Sequence, residues 1–363
     1  MKNHLIVVGK NIYLNEPFME YIERELSHLG FLEEVTKLSE TSAETLSLMQ
    51  QELQMEGNLV IVTNKNSFTP VAKFLATMIG DTLILKENLL IPSKSDIYDD
   101  NSFLVQHDRC KINVVLAEPG ATLPMFLIEH SEKEGILHLF QMDEESAAIL
   151  LESLAKSHEV ETSLTTIVPG WIQAACSSKK YGNLGNFFKS ATQLFGDKII
   201  ESTDIFAYLI HKLSQKNRTV TFAESCTGGL IASQLTSRAG SSAIFKGSLV
   251  TYSNVLKAGW LGVEKEVLEK FGAVSEQTVE QMLSGAIEIA QADYALAVSG
   301  IAGPGGGTLQ KPVGTVVIGA TNGTDTIIET LHFDGDRNYI QKQSMLYAYK
   351  LLITIARKDL FSV

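Results

Sequence analysis

Apolar residues recur at two spacings along this chain, and the points where the spacing changes lay out its elements. In the first 130 residues, short apolar runs at 4–8, Leu59–Thr63, Thr82–Leu85 and Ile112–Ala117 read as strands. Glu16 to His28 and Pro70 to Met78 carry apolar residues three and four apart and read as amphipathic helices. Strands alternating with helices predict a doubly wound α/β domain. Residues 88–110, centred on Ser95-Asp-Ile-Tyr-Asp-Asp-Asn101, read as a polar excursion or flexible loop.

From Gly135 the texture changes. Ile136–Phe140 and Ile172–Ala175 read as strands, Asp143 to Lys156 as a helix capped by Asp143, and Gly185 to Phe195 as a second helix. That is a small α+β unit, a linker or dimerisation module by pattern, with no catalytic constellation of its own. The third unit opens with a helix, Asp204 to Gln215, and continues with strands at Thr219–Ala223, Gly247–Tyr252, Tyr294–Ser299, Val313–Ala320 and Thr326–Phe333. Helices are expected at Leu230–Leu235, Glu264–Phe271, Glu276–Ala292 and Arg337–Ile355, with Ser253-Asn254 as a cap pair.

A length of 363 residues fits two or three cores rather than one. No apolar run approaches the roughly 18–20 residues of a membrane span, and the short run after Met1 reads as a first strand rather than a signal peptide. Three widely spaced cysteines, Cys110, Cys176 and Cys226, suggest reduced thiols, no metal cluster and the cytoplasm. The net charge of −12 divides as −11 over residues 1–200 and −1 over 201–363. No basic stripe crosses the acidic part, which argues against nucleic acid as a partner, whereas the near-neutral part can accept a small anion.

Candidate chemistry gathers in the third unit, around Thr219-Val-Thr-Phe-Ala-Glu-Ser-Cys-Thr-Gly-Gly229. A buried strand there stops at Glu224-Ser225, and glycines open a helix. Ser225 at such a corner is either a nucleophile or a helix cap, and the N–H groups around Thr227, Gly228 and Gly229 can hold an oxyanion or a phosphate. A serine nucleophile needs a base. His211 and His332 are the two histidines of this region and neither is placed for the task, which disfavours a Ser-His-Asp triad. Lys257 is the better candidate, because a helix start and partial burial both lower a lysine pKa; Tyr252 can relay a proton. The alternatives are a surface lysine and a core-edge tyrosine.

Ser299-Gly-Ile-Ala-Gly-Pro-Gly-Gly-Gly-Thr308 is a glycine-rich loop after a strand, in which Ser299, Gly300 and Gly303 can approach an anion closely. It lacks the spacing of a P-loop or of a dinucleotide fingerprint. Lys311 closes it and offers a cation. Arg337 suits bidentate recognition of a phosphate or carboxylate, or else pairs with Asp334 or Asp336. Ser242, after Gly240-Ser241, is a further polar turn. Cys226 reads as a small buried residue rather than a thiol nucleophile.

Ala223-Glu-Ser-Cys-Thr-Gly-Gly229, Val250-Thr-Tyr-Ser-Asn254, Gly272-Ala-Val-Ser-Glu276, Val298-Ser-Gly-Ile-Ala-Gly-Pro-Gly-Gly-Gly307, Lys311-Pro-Val-Gly-Thr-Val316 and Gly335-Asp-Arg337 together resemble the CinA family, in particular its C-terminal nicotinamide-nucleotide amidase domain. The resemblance implies three domains: a molybdopterin-binding-like α/β domain over 1–133, a small KH-like α+β domain over 134–200, and a three-layer α/β amidase domain over 201–363. It implies an enzyme that hydrolyses the carboxamide of nicotinamide mononucleotide without metal or other cofactor; a cytoplasmic homo-oligomer, a dimer, is the expected assembly. By the same resemblance Ser225 is the nucleophile, Lys257 its base, Tyr252 a proton relay, and Arg337 a substrate-binding residue on the phosphate. Ser299 stands where the family usually has threonine. A non-catalytic pyridine-nucleotide-binding or scaffold protein is the rival reading.

The N-terminal motifs depart from the family pattern. Gly9-Lys10-Asn11-Ile12-Tyr13 replaces Gly-Thr-Glu-Leu-Leu, and Thr63-Asn-Lys-Asn-Ser-Phe-Thr-Pro70 replaces a Thr-Gly-Gly-Leu-Gly-Pro-Thr run with its acidic metal ligands. A retained fold without the metal-dependent ADP-ribose pyrophosphatase activity of some members is therefore expected.

Overall fold

Strand β1 (Lys2–Val8) is apolar from Leu5 to Val8, where it lies inside a sheet covered on both faces. In the computed structural model, which describes residues 2–27, 30, 32–53, 56–129, 134–179 and 181–361, the chain divides into two units, Met1–Glu134 and Gly135–Val363. The first continues with α1 (Lys10–Tyr13), α2 (Glu16–Ser27), β2 (Glu34–Leu38), α3 (Ala43–Glu52), β3 (Gly57–Thr63), α4 (Lys65–Met78), β4 (Leu83–Lys86), β5 (Leu89–Pro92), β6 (Ile97–Asp99), β7 (Ser102–His107) and β8 (Cys110–Leu116). Its six-stranded sheet has the order β2-β1-β3-β8-β7-β6, with the first four parallel and the last two antiparallel. Leu5, Val7, Val60 and Val62 pack on Phe18, Met19 and Ile22 of α2. Ile6, Val8, Leu59 and Ile61 pack on Met49 of α3 and Phe68, Val71 and Leu75 of α4.

Two expectations change here. Residues 88–110 are not a loop but carry β5, β6 and β7; Phe103 and Val105 are fully buried, while the Asp-rich text around them forms the turns. Helix α4 begins five residues before Pro70, because the Asn64 side chain accepts the Ser67 N–H and caps it. His28, the expected end of α2, and residue 133, the expected domain end, lie outside the described residues.

The second unit begins beyond the first residue of β9 (Glu134–Phe140) and includes α5 (Glu144–Ser157), β10 (Val160–Val168), β11 (Trp171–Ser178), α6 (Leu184–Phe195) and β12 (Ile199–Glu201). These strands form a sheet of order β10-β11-β9-β12. Asp143 caps α5 by accepting the Ser146 N–H at 2.8 Å. Next come α7 (Ile205–Gln215), β13 (Val220–Glu224), α8 (Leu230–Thr236), β14 (Phe245–Val250), α9 (Asn254–Leu261), α10 (Lys265–Phe271), α11 (Glu276–Ala290), β15 (Tyr294–Gly300), β16 (Thr315–Thr321), β17 (Thr326–His332), α12 (Arg337–Ile355) and α13 (Arg357–Phe361).

Their five-stranded sheet has the order β14-β13-β15-β16-β17; β14, β13 and β15 are parallel, and β16 and β17 antiparallel. Alternation along the strands sorts its two faces. Phe222, Leu296, Val298, Val316 and Ile318 join the core made with α7, α8 and α12. Ala223, Ala295, Ala297 and Val317 face Leu261 of α9 and Val279, Met282, Leu283 and Ala286 of α11. Small residues on that second face let α11 lie close. Gly285 brings α11 against α9: a Cβ there would stand 2.0 Å from the Leu261 carbonyl oxygen.

Candidate active site

β13 runs between two parallel neighbours, so its carboxyl end opens into the kind of crevice where open α/β sheets collect ligands. Ser225 is the first residue past that end. Its N–H donates to the Val298 carbonyl at 3.0 Å, and Gly228 and Gly229, at φ +62° and +102°, turn the chain into α8. Gln341 of α12 donates to the Cys226 carbonyl at 2.6 Å. The turn is thus fixed from the sheet, from α8 and from α12.

Lys257 comes from α9, whose first turn Ser253 caps by accepting the Leu256 N–H. The lysine is 1% exposed. Its Nζ lies 2.9 Å from Ser225 Oγ and 2.8 Å from the Thr251 carbonyl oxygen. Burial pushes its pKa down to about 8, since desolvation penalises the ammonium form, and no carboxylate pairs with it among the described residues. As an amine, Lys257 gives one N–H to Thr251 and turns its lone pair to the Ser225 hydroxyl. That is the geometry of a nucleophile and its base.

Glu224 is fully buried beside them. Its Oε2 accepts the N–H groups of Gly229 and Ile231 at 2.9 and 3.1 Å, and its Oε1 accepts the Ala232 N–H and the Ser248 hydroxyl, both at 3.0 Å. The first turn of α8 is therefore occupied by the protein's own carboxylate. Gly228 N–H donates to the Ser225 carbonyl, so neither Gly228 nor Gly229 offers a substrate the N–H expected from the sequence. Among the described residues, the N–H groups of Cys226 and Thr227 donate to no other residue, and the buried Thr227 hydroxyl has no partner. Neither Glu224 nor Gln341 stands out in the sequence; a carboxylate ending an apolar run is the one signal for Glu224.

Arg337 is the first residue of α12. Its Nη1 donates to the Gly303 carbonyl at 2.6 Å and its Nη2 to the Tyr252 hydroxyl at 2.9 Å. Neither aspartate pairs with it: Asp336 caps α12 through the Tyr339 N–H, and Asp334 lies 3.5 Å from His332 Nε2. Both of its partners are neutral, and among the described residues no carboxylate pairs with it. Tyr252 is 59% exposed and meets Arg337, with no hydrogen bond to Ser225 or Lys257.

Ser299 is buried and donates to the Ala273 carbonyl at 2.7 Å. Lys311 donates to the carbonyls of Phe271 and Val274, which ties the glycine-rich loop to the 271–275 segment instead of leaving a free cation. Gly300 ends β15 opposite Val316. Ser242 is a correction. It sits in the 3₁₀ turn preceding β14, at the amino end of the parallel strands, so the length of β14, roughly 15–20 Å at about 3.3 Å per residue, separates it from Ser225. His211 meets Gln215, and burial raises the Cys226 thiol to about 12.

The family model for the CinA C-terminal domain matches residues 203–356. A CinA-like protein of Fervidobacterium nodosum is 51% identical over 140 residues, 39% of this chain and 34% of that protein. One from Endomicrobium trichonymphae is 36% identical over 241 residues, 61% and 55% of the two chains. The match thus spans from about a third to about half the length of these CinA-like relatives. The nicotinamide-nucleotide amidohydrolase PncC of Escherichia coli is 49% identical over 141 residues, 39% of this chain and 86% of that protein. Identity of that level across nearly the whole of a relative, together with the family model over residues 203–356, makes this chain a member of the CinA family.

Proposed function

We propose that residues 201–363 form a serine amidohydrolase that converts nicotinamide mononucleotide to nicotinate mononucleotide and ammonia. The observation that carries this is the 2.9 Å approach of the buried Lys257 amine to Ser225 Oγ. The name of the Escherichia coli relative supports the choice of reaction. Lys257 takes the Ser225 proton as Oγ attacks the carboxamide carbon, and the N–H groups of Cys226 and Thr227 receive the oxyanion. The lysine then returns that proton to the leaving nitrogen, ammonia departs, and an ester to Ser225 remains. Water attacks the ester, Lys257 accepts one of its protons and passes it to the departing Ser225 oxygen, and the acid is released and gives its remaining proton to ammonia or solvent, leaving the carboxylate.

Arg337, with Tyr252 and the Gly303 carbonyl around it, receives the phosphate; this moves Tyr252 from the reacting centre to the anion end. The test supplies the mononucleotide and follows ammonia and nicotinate mononucleotide. Ser225→Ala is expected to abolish both and retain nucleotide binding, and unchanged turnover in that variant refutes the mechanism. Arg337→Ala is expected to raise KM about tenfold or more for the mononucleotide but not for nicotinamide riboside, which lacks the phosphate.

For the N-terminal unit we propose a fold kept without metal-dependent hydrolysis. The start of α4, where a phosphate would bind, receives the chain's own Glu118: Oε1 accepts the Lys65 N–H at 2.9 Å and Oε2 the Asn11 amide at 3.3 Å. The residues there do not fit a metal site. Among the described residues, His4, Glu34 and Glu52 do converge, with His4 Nδ1 3.5 and 3.2 Å from the two carboxylates. They lie at the opposite end of β1, and the buried Nε2 of His4 lacks the acceptor that a metal-bound imidazole normally has. Release of phosphoribosyl products from ADP-ribose by the full chain with magnesium or manganese refutes this.

A further inference from the structure

We propose that Glu224 is the positioning residue of the Ser225 turn, and that it reserves the two neighbouring free N–H groups for a single oxyanion; the inference rests on Ser225 being the nucleophile. A strand-to-helix corner of this kind ordinarily leaves the first N–H groups of its helix open, and an anion fills them. Here three of them, from Gly229, Ile231 and Ala232, converge on one buried carboxylate from the residue directly before the serine. The Ser248 hydroxyl holds that carboxylate from β14.

Two consequences follow from this closure. Ser225, Cys226, Thr227 and Gly228 are clamped between the end of β13 and the first turn of α8, so Ser225 Oγ has little freedom to leave Lys257. The positive end of α8 is also already neutralised, so a phosphate gains little there, and the N–H groups of Cys226 and Thr227 remain as the donors next to Ser225. Glu224 thereby separates two anion-binding tasks: the developing oxyanion beside Ser225, and the substrate's permanent charge at Arg337.

Glu224→Gln tests this with little change of volume. The amide offers one acceptor oxygen and one NH₂ donor, and a backbone N–H cannot reverse its role, so whichever way the amide turns at least one of the three N–H bonds is lost. Two readouts are taken on the full chain. One is turnover of nicotinamide mononucleotide, resolved into kcat and KM. The other is the rate at which a fluorophosphonate phosphonylates Ser225, with loss of fluoride, followed by mass spectrometry across pH, which does not depend on the natural substrate.

Positioning predicts that labelling and kcat both slow by about tenfold or more, that KM stays within about threefold, and that the pH midpoint of labelling stays at the wild-type value set by Lys257. A role confined to stability leaves the labelling rate per folded molecule at the wild-type value, and that result overturns the proposal. A wild-type protein that labels at Ser225 but does not hydrolyse the mononucleotide overturns the substrate reading alone. Should Glu224→Gln fail to fold, Ser248→Ala removes one of the four donors and leaves the carboxylate in place. Slower labelling there supports the proposal, and wild-type labelling overturns it.

Discussion

Replacing Lys257 with methionine should abolish catalysis and yet leave the second unit as stable as before, or more so, at neutral pH. A lysine with a pKa of about 8 in the folded state against 10.5 in the open chain carries a proton at pH 7 that costs about 3 kcal/mol relative to the unfolded state. Methionine has nearly the same length and no such penalty. It does leave the Thr251 carbonyl and the Ser225 hydroxyl without their present partner, a loss of about 1–3 kcal/mol. The balance at pH 7 therefore falls between about zero and 2 kcal/mol in favour of the variant.

The sign reverses with alkali. Between pH 8 and 10.5 the unfolded chain binds more protons at this site than the folded one, so wild-type stability rises through that window relative to the variant. Above it only the lost hydrogen bonds remain, and the wild type is the more stable by about 1–3 kcal/mol. Both tryptophans, Trp171 and Trp260, lie in the second unit, so denaturant unfolding followed by tryptophan fluorescence at pH 7 and pH 10 reads this unit alone. Other groups that titrate there do so in both proteins and cancel. A stability difference that stays constant between the two pH values would show that Lys257 is not held against its charge, and its role as a base would fall with it.

The same lysine sets the rate profile: kcat/KM should rise with pH to a plateau with a midpoint near 8, and Lys257→Arg, which stays charged throughout, should be inactive at every pH. Gly285→Ala should lower stability by about 1–3 kcal/mol despite the better helix former, because its Cβ meets the Leu261 carbonyl; kcat should fall further than stability, since the displaced α9 carries Lys257. His138 accepts the Trp171 indole N–H at Nδ1, gives its own Nε2–H to the Ser202 carbonyl, and is held near pKa 4 by burial. The unfolded chain binds the extra proton between pH 4 and 6.5, so stability should fall as pH drops through that window, by up to about 3 kcal/mol. His138→Gln should flatten that slope in the same fluorescence assay.

Much of the second unit is legible in the sequence because β13, β15 and β16 are buried on both faces and most of its helices carry side-chain caps; α12 has the expected bounds, Arg337–Ile355. β10 was missed because Val160-Glu-Thr-Ser-Leu-Thr-Thr-Ile-Val168 edges its sheet and leaves half its side chains near water, which dilutes the apolar signal. β2 and the strands within 88–110 fail for related reasons: they are short, and they lie at an edge or between polar turns. In the candidate site, the positions of Ser225 and Lys257 are legible because a glycine-turned corner and a Ser253-capped helix leave local marks. Ser242 was misplaced because a Gly-Ser-Ser turn reads alike at either end of a strand. Glu224 was overlooked because a charge at the end of an apolar run reads as the point where burial stops, whereas here burial continues and the backbone of α8 supplies the compensation.

The burial of Lys257 also makes the folded core its own activity gauge. At pH 7 a pKa of about 8 leaves roughly a tenth of the molecules with a free amine, and a pKa of 10.5 would leave a few in ten thousand. If warming or mild denaturant lets water reach Nζ while α9 and β13 are still in place, most of the usable base disappears before any secondary structure does. Loss of activity should then precede the loss of helix signal on heating, and raising the pH should narrow the interval between the two.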